Sequence, residues 1–306
     1  MSTRSLPRAS RRPERMRDTD LDGAIAASGS SWQEALNPPI YLVSLLPGLG
    51  VPLLAPAALQ HPLGLSLATV AVILVQHAIN LFNDAADWRL GADVEKHDSW
   101  VRVHRGRPRT AVRHGLISLL AGGLLGLAVL WQQDQWWILL VALPMVGLGY
   151  LYNAGRRPLS YTHLGEWVTG ICYGPGVFGC LWLVAGLDPG IGMLTGSIAF
   201  GALAMALLLS HQPPQIETDR RAGKRSFAVR YGADRTLSVA RLLFLLFLAC
   251  LSATLIISAD WPLGVVGALA ALASAVWLLN GAVNPRRTLL AASAFVIASL
   301  LASFGV

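Results

Sequence analysis

The sequence predicts an all-α polytopic membrane protein of nine transmembrane helices, and three observations carry that expectation. Of 306 residues, 54% are hydrophobic and 13% charged, with a mean hydropathy of +0.53, far from the balance of a soluble domain. Apolar runs of about 20 residues recur along the chain, each long enough at 1.5 Å rise per residue to cross a hydrocarbon core of roughly 30 Å. Lysine and arginine are also segregated: all 24 fall in five segments that alternate with connections carrying none, as loops kept on the cytoplasmic side should.

Residues 1–37 are polar, rich in Arg, Ser and Pro, and lack the apolar core of a secretory signal. They read as a disordered basic cytoplasmic arm, near whose end SWQEALNPP suggests a short interfacial helix with Trp32 at head-group level. Residues 38–306 form the membrane domain, with spans expected at 39–58, 64–84, 114–132, 135–153, 165–186, 191–210, 238–258, 262–281 and 287–304. The basic segments are 1–38, 88–113, 154–164, 211–241 and 285–287, whereas 59–63, 133–134, 187–190 and 259–261 hold no Lys or Arg. This places the N-terminus in the cytoplasm and the C-terminus outside, in the plasma (inner) membrane. The pI of about 9.8 then reflects topology and attraction to anionic lipid rather than nucleic-acid binding. Cys172, Cys180 and Cys250 fall inside expected spans with no metal-ligand spacing, and read as small core residues.

The stretch INLFNDAADWRLGAD, residues 79–93, ends the second apolar run with amides and acids. On a helix Asn80, Asn83 or Asp84, and Asp87 follow i, i+3/i+4, i+7 spacing and share a face. Polar groups are costly there and mark function. Two carboxylates and two amides make an oxygen-rich site of the kind Mg²⁺ takes, with further ligands from substrate phosphates and water. Asp93, Glu95 and Asp98 are expected to be solvated at the emerging helix end.

A second constellation, HQPPQIETDRRAGKRSFAVRYG at 211–232, follows another apolar run on the same side. Glu217 and Asp219 precede Arg220, Arg221, Lys224 and Arg225. Acids can hold a metal while bases hold phosphate oxygens, so the pairing suggests a metal-bound diphosphate; the bases also satisfy the positive-inside rule alone.

Three stretches carry a resemblance. NLFNDAADWRLGAD, YNAGRRPLSYTHLGEWVTGICYGP and ETDRRAGKRSFAVRYG are similar, in order, to motifs of the UbiA superfamily of intramembrane prenyltransferases, most closely its 1,4-dihydroxy-2-naphthoate (menaquinone) branch. The resemblance covers about 38–305 and implies nine helices around a central cavity, with two aspartate-rich motifs binding Mg²⁺ and an isoprenyl diphosphate beside an aromatic acceptor. It places Asn80, Asn83, Asp84 and Asp87 in the first motif and Asp219, Lys224 and Arg225 in the second, with Asn83, Asp84, Asp87 and Asp219 as metal ligands. Tyr150, Tyr152 and Asn153 fall where the family lines its cavity, Arg102, Arg105 and Arg109 where it recruits bases for the diphosphate. Glu166 belongs to the L-G-E match, and either contacts substrate or fixes a helix. Gln215 stands where the family's second motif begins with aspartate, and His211 to Pro214 depart from the branch's polar N-N-x-R; His211 is a candidate for orienting substrate.

The chemistry implied is ionisation of an allylic C–O bond, electrostatic stabilisation of the departing diphosphate, shielding of the cation from water and attack by an electron-rich ring. A terpene cyclase using the same ionisation without an acceptor, and a lipid-binding or transport protein, are the alternatives. No G-x-S-x-G, H-E-x-x-H or P-loop pattern occurs.

Overall fold

In a computed structural model, residues 31–93, 96–155, 158–258 and 261–303 are described, and every regular element among them is helical. Residues 1–30 of the expected disordered arm lie outside the described residues. The arm's last residues are helix α1 (Trp32–Leu36), closed by a reciprocal cap between Ser31 and Glu34. Helix α2 (Leu42–Leu54) follows, then α3 (Pro62–Leu90), which stops at Gly91 in the left-handed region with φ of 88°. A short α4 (Trp100–Val103) leads into α5 (Pro108–Gln132), α6 (Leu139–Asn153) and α7 (Gly165–Val184). Around Pro175, which has no N–H to donate, α7 widens into a π-helical stretch at Cys172–Gly179. Helix α8 (Ile191–His211) precedes two short helices, α9 (Ile216–Arg221) and α10 (Phe227–Tyr231), before α11 (Ala233–Ser258), α12 (Trp261–Leu279) and α13 (Pro285–Ser303).

Eight passages are long and apolar enough to cross a bilayer: Trp32–Leu54, α3, α5, α6, α7, α8, α11 and α13. The remaining expected span coincides with α12, whose described apolar stretch, Gly264–Leu279, is shorter than the other eight. Helix α3, at 29 residues, runs six residues past the expected boundary at 84, so the whole Asn80–Asp87 stretch is helical.

Aromatic rings stitch the bundle. Phe178 of α7 stacks on Phe200 of α8 at 5.1 Å, Phe200 meets Phe247 of α11 at 5.7 Å, and Phe247 meets Phe295 of α13 at 5.9 Å. Such offset and edge contacts add about 0.5–1.5 kcal/mol each beyond burial. Small residues let α7 and α8 touch: a Cβ on Gly201 would lie 2.8 Å from the Gly170 carbonyl oxygen. Outward faces are apolar, with Leu140, Ile257 and Trp131 among the exposed side chains, as lipid requires. A cavity of about 440 Å³ lies among α3, α5, α6 and α7, with Val75, Ile79, Gly122, Met145 and Tyr173 in its wall. Among the described residues, Ser44, Gln76 and Tyr173 are its polar lining, beside Cys172 and Cys180.

Candidate active site

The polar face beyond the cavity is set by helix periodicity. Gln76 and Ile79 of α3 line the cavity, and Asn80, Asn83 and Asp87 continue along that face, the last about 12 Å further on at 1.5 Å per residue. Asp84 and Asp87 are 5% and 2% exposed. Two lysines neutralise this end. Lys96 Nζ lies 2.9 Å from Asp84 Oδ1 and 3.3 Å from Asp93 Oδ2. Lys224 Nζ lies 3.1 Å from Asp87 Oδ2 and 3.7 Å from Asp219 Oδ1.

One backbone and one side-chain donor complete the shell. The Trp100 N–H donates to Asp84 Oδ2 at 2.7 Å, and the Ser226 hydroxyl donates to Asp219 Oδ2 at 3.0 Å. Burial works against the charge on Lys96, but Asp84, Asp93 and Asp98 outweigh it and hold the ammonium above its ordinary range. Lys224 is likewise held high, burial being overcome by Asp87 and Asp219. The Asp219 carboxyl is raised by burial, against Lys224 and Ser226. The Tyr161 phenol, its ring 5.2 Å from Lys224 Nζ, is raised by burial and by the Asp87 charge.

Asn83 donates its amide to Asn153 Oδ1 at 2.9 Å, and Asn153 donates to the Ile79 carbonyl at 3.1 Å. Tyr152 sits within electrostatic reach of Lys224, Asp87 and Glu166. Glu166 Oε1 accepts from Gln212 Nε2 at 3.0 Å and from the Phe227 N–H at 2.6 Å, while Gln212 Oε1 accepts from the Ala228 N–H at 3.1 Å. Glu166 thereby fixes α10 and the Lys224 loop against α7.

Other expected site residues stand apart. Tyr150 is 54% exposed on the outer face of α6, edge-on to Phe82. His211 and Arg225 are exposed, although the Arg225 N–H donates to the Tyr161 carbonyl. Gln215 is half-buried just ahead of α9. Arg102 lies over the Trp88 ring at 5.9 Å, and Arg105 and Arg109 are exposed around the start of α5.

Asp93 is a correction. Expected to be solvated, it is 7% exposed and ion-paired, because the turn after Gly91 folds back over α3. Glu95 lies outside the described residues, and Asp98 is half-buried. Lys96, Tyr161, Gln212 and Ser226 went unseen in the sequence; Lys96 alone carried a signal, as a base three residues from an acid.

Among the described residues no three His, Cys, Asp or Glu side chains converge on one metal position. Mg²⁺, however, needs only one or two carboxylates plus phosphate and water oxygens. Asp87 Oδ1 is buried without a hydrogen-bond partner, and Asn83, having spent its amide on Asn153, keeps Oδ1 to offer. The donor set fits a hard divalent cation.

Helices long and apolar enough to cross a membrane enclose an apolar cavity, and buried carboxylates paired with lysines stand beyond it along α3. The chain belongs to the UbiA prenyltransferase family, which it matches over residues 44–304. It is 30% identical to the 1,4-dihydroxy-2-naphthoate octaprenyltransferase of Bacillus subtilis over 206 residues, covering 66% of this chain and 65% of that protein's length. It is 30% identical to the enzyme of that name from Mycobacterium tuberculosis, covering 69% of this chain and 73% of that one. The fold is that of a UbiA homolog from Aeropyrum pernix K1, with a TM-score of 0.64 at 16% identity over 89% of this chain and 99% of that one. A UbiA homolog from Archaeoglobus fulgidus bound to GPP and Mg²⁺ gives 0.58 at 17% identity over 90% and 99%.

Proposed function

We propose that the protein transfers an isoprenyl group from an isoprenyl diphosphate to an aromatic acceptor of the 1,4-dihydroxy-2-naphthoate type, with Mg²⁺, in quinone biosynthesis. The observation that carries this reading is the pair of lysine bridges, Asp84–Lys96–Asp93 and Asp87–Lys224–Asp219, on the continuation of the α3 face that lines an apolar cavity. Asp84, Asp87, Asp219 and Asn83 would hold Mg²⁺, which when bound neutralises charge on the diphosphate. Lys224 and Lys96 turn from their carboxylates to the phosphate oxygens as the diphosphate enters, and stabilise the charge that grows as the allylic C–O bond breaks. The apolar cavity wall excludes water from the cation. Tyr152 and Asn153 flank the reacting end, and Arg102, Arg105, Arg109, His211, Gln215 and Arg225 form the outer polar rim. The relatives' names support the naphthoate acceptor. The basic loops support a cytoplasmic site and N-terminus in the plasma membrane.

The test is incubation of membranes with Mg²⁺ and farnesyl or geranylgeranyl diphosphate, with and without dihydroxynaphthoate. Diphosphate release that depends on the acceptor supports the transferase. Acceptor-independent hydrocarbon would make the protein a cyclase, and no release a lipid-binding protein.

A further inference from the structure

Three histidines from three elements meet beside the carboxylates without touching them. The Tyr41 hydroxyl lies 2.6 Å from His77 Nδ1, His77 Nε2 lies 3.4 Å from His114 Nε2, and His114 Nδ1 lies 3.2 Å from His104 Nε2. Because His114 spends its two nitrogens on two different rings, the trio is a chain and not a chelate. One set of neutral tautomers satisfies every link: Tyr41 O–H donates to His77 Nδ1, His77 Nε2–H to His114 Nε2, and His114 Nδ1–H to His104 Nε2. Trp32 and Trp100 wrap the rings, with centroids 5.0 to 5.6 Å from His77 or His114, and keep them in register. One turn along α2 from Tyr41, Ser44 lines the cavity. The chain therefore begins within a turn of the cavity wall and ends at half-buried His104 in the loop before α5.

We propose that Tyr41, His77, His114 and His104 form a proton relay between the acceptor's hydroxyl and the loop surface. The inference rests on the transferase reading above. As the acceptor's ring carbon bonds the allylic carbon, the C–O bond to diphosphate breaks and its pair leaves on the diphosphate. The acceptor O–H proton passes to the Tyr41 oxygen while Tyr41 gives its own to His77 Nδ1. His77 Nε2–H moves to His114 Nε2, His114 Nδ1–H to His104 Nε2, and His104 Nδ1–H to water. Aromaticity returns when the attacked carbon loses its substituent. A departing ring hydrogen leaves as a proton taken up by the released diphosphate, and the acceptor oxygen recovers its own along the chain, so the net yield is one proton. A departing CO₂ leaves the acceptor oxygen to take its proton back along the chain, which restores every tautomer. Burial and the adjacent His114 hold His104 below the ordinary histidine range, so it remains neutral and able to pass a proton at pH 7.

Tyr41→Phe removes one hydroxyl, and His104→Asn removes the outer end. Each should lower acceptor prenylation about 10²-fold, the low end for positioned proton transfer, with the KM for the diphosphate unchanged. Diphosphate release should continue and yield prenyl alcohol, as water captures the cation. Imidazole in the buffer should restore His104→Asn several-fold and leave Tyr41→Phe unrescued. Wild-type product ratios in both variants, or a loss that imidazole does not restore in His104→Asn, would overturn the relay. Wild-type protein that forms no prenylated acceptor would instead overturn the transferase reading, so the two failures are separable.

Discussion

Asn83 on α3 donates its side-chain amide to Asn153 on α6 at 2.9 Å, locking the helix that carries the first acidic pair to the helix that borders the cavity. Asn153→Ala leaves that half-buried amide unpaired, which should cost about 1 kcal/mol, the low end for such a loss. It also frees Asn83 to rotate its oxygen away from the site. Thermal unfolding in detergent reports the first effect. A rise in the Mg²⁺ concentration for half-maximal diphosphate release reports the second.

Asp84 and Asp87 should each be indispensable. Replacing either with Ala should remove at least 10²-fold of turnover at ordinary Mg²⁺ by analogy with loss of a single charge-stabilising group, with the protein still inserted. Near-normal turnover in both variants would end their assignment as metal carboxylates.

Gln215 puts an amide one helical turn before Asp219. Attraction between unit charges at about 4 Å is on the order of 4 kcal/mol at an effective dielectric near 20, so Gln215→Asp should shift a Mg²⁺ titration of diphosphate release to lower concentration. An unmoved curve would leave the second motif as a diphosphate loop built on Asp219 and Lys224.

Stability should be insensitive to pH on the alkaline side. Lys96 and Lys224 sit above the ordinary lysine range because their carboxylate partners outweigh burial. A raised folded value contributes stability that is complete below the unfolded pKa of about 10.4 and is lost only as pH rises through the folded one. Melting temperatures of the detergent-solubilised protein should therefore hold level from pH 7 to about 10. A decline starting near pH 8 would contradict the pairing.

Topology can be read by labelling. In a variant lacking Cys172, Cys180 and Cys250, a cysteine placed at exposed Asp188 should react with an impermeant reagent outside intact cells, and one at exposed Arg221 should not. Reversal of the two would invert the bundle.

Much of the architecture was legible because crossing lipid demands apolar length, and α7, α8 and α13 lie within about two residues of their expected ranges, whereas α5 begins six residues early. The acids of α3 were legible for the same reason, since Asp84 and Asp87 violate the apolar pattern. Lys96 was easily passed over because, although it stands three residues from an acid, a base in a loop expected on the cytoplasmic side obeys the charge rule whatever it touches. Asp93 was misread because nothing local announces that the turn at Gly91 folds back. The histidine chain joins α3, α5 and the loop between them, and its rings lie 37 and 10 residues apart on separate elements, so no period within one element announces it. Glu166 left two roles open in sequence, and its contacts with Gln212 and Phe227 show it bracing a loop.

The two lysine bridges differ in when they can form during synthesis. Asp84 meets its counter-charge only 12 residues later, at Lys96, but Asp87 waits 137 residues for Lys224. At roughly 5–20 residues per second of translation, that delay is on the order of ten seconds. During it four further helices, α5 to α8, are made, and an acid near the end of α3 faces the bilayer without its base. Nascent chains halted before Lys224 should thus be a favoured target of membrane quality control, whereas chains that reach α10 should escape it.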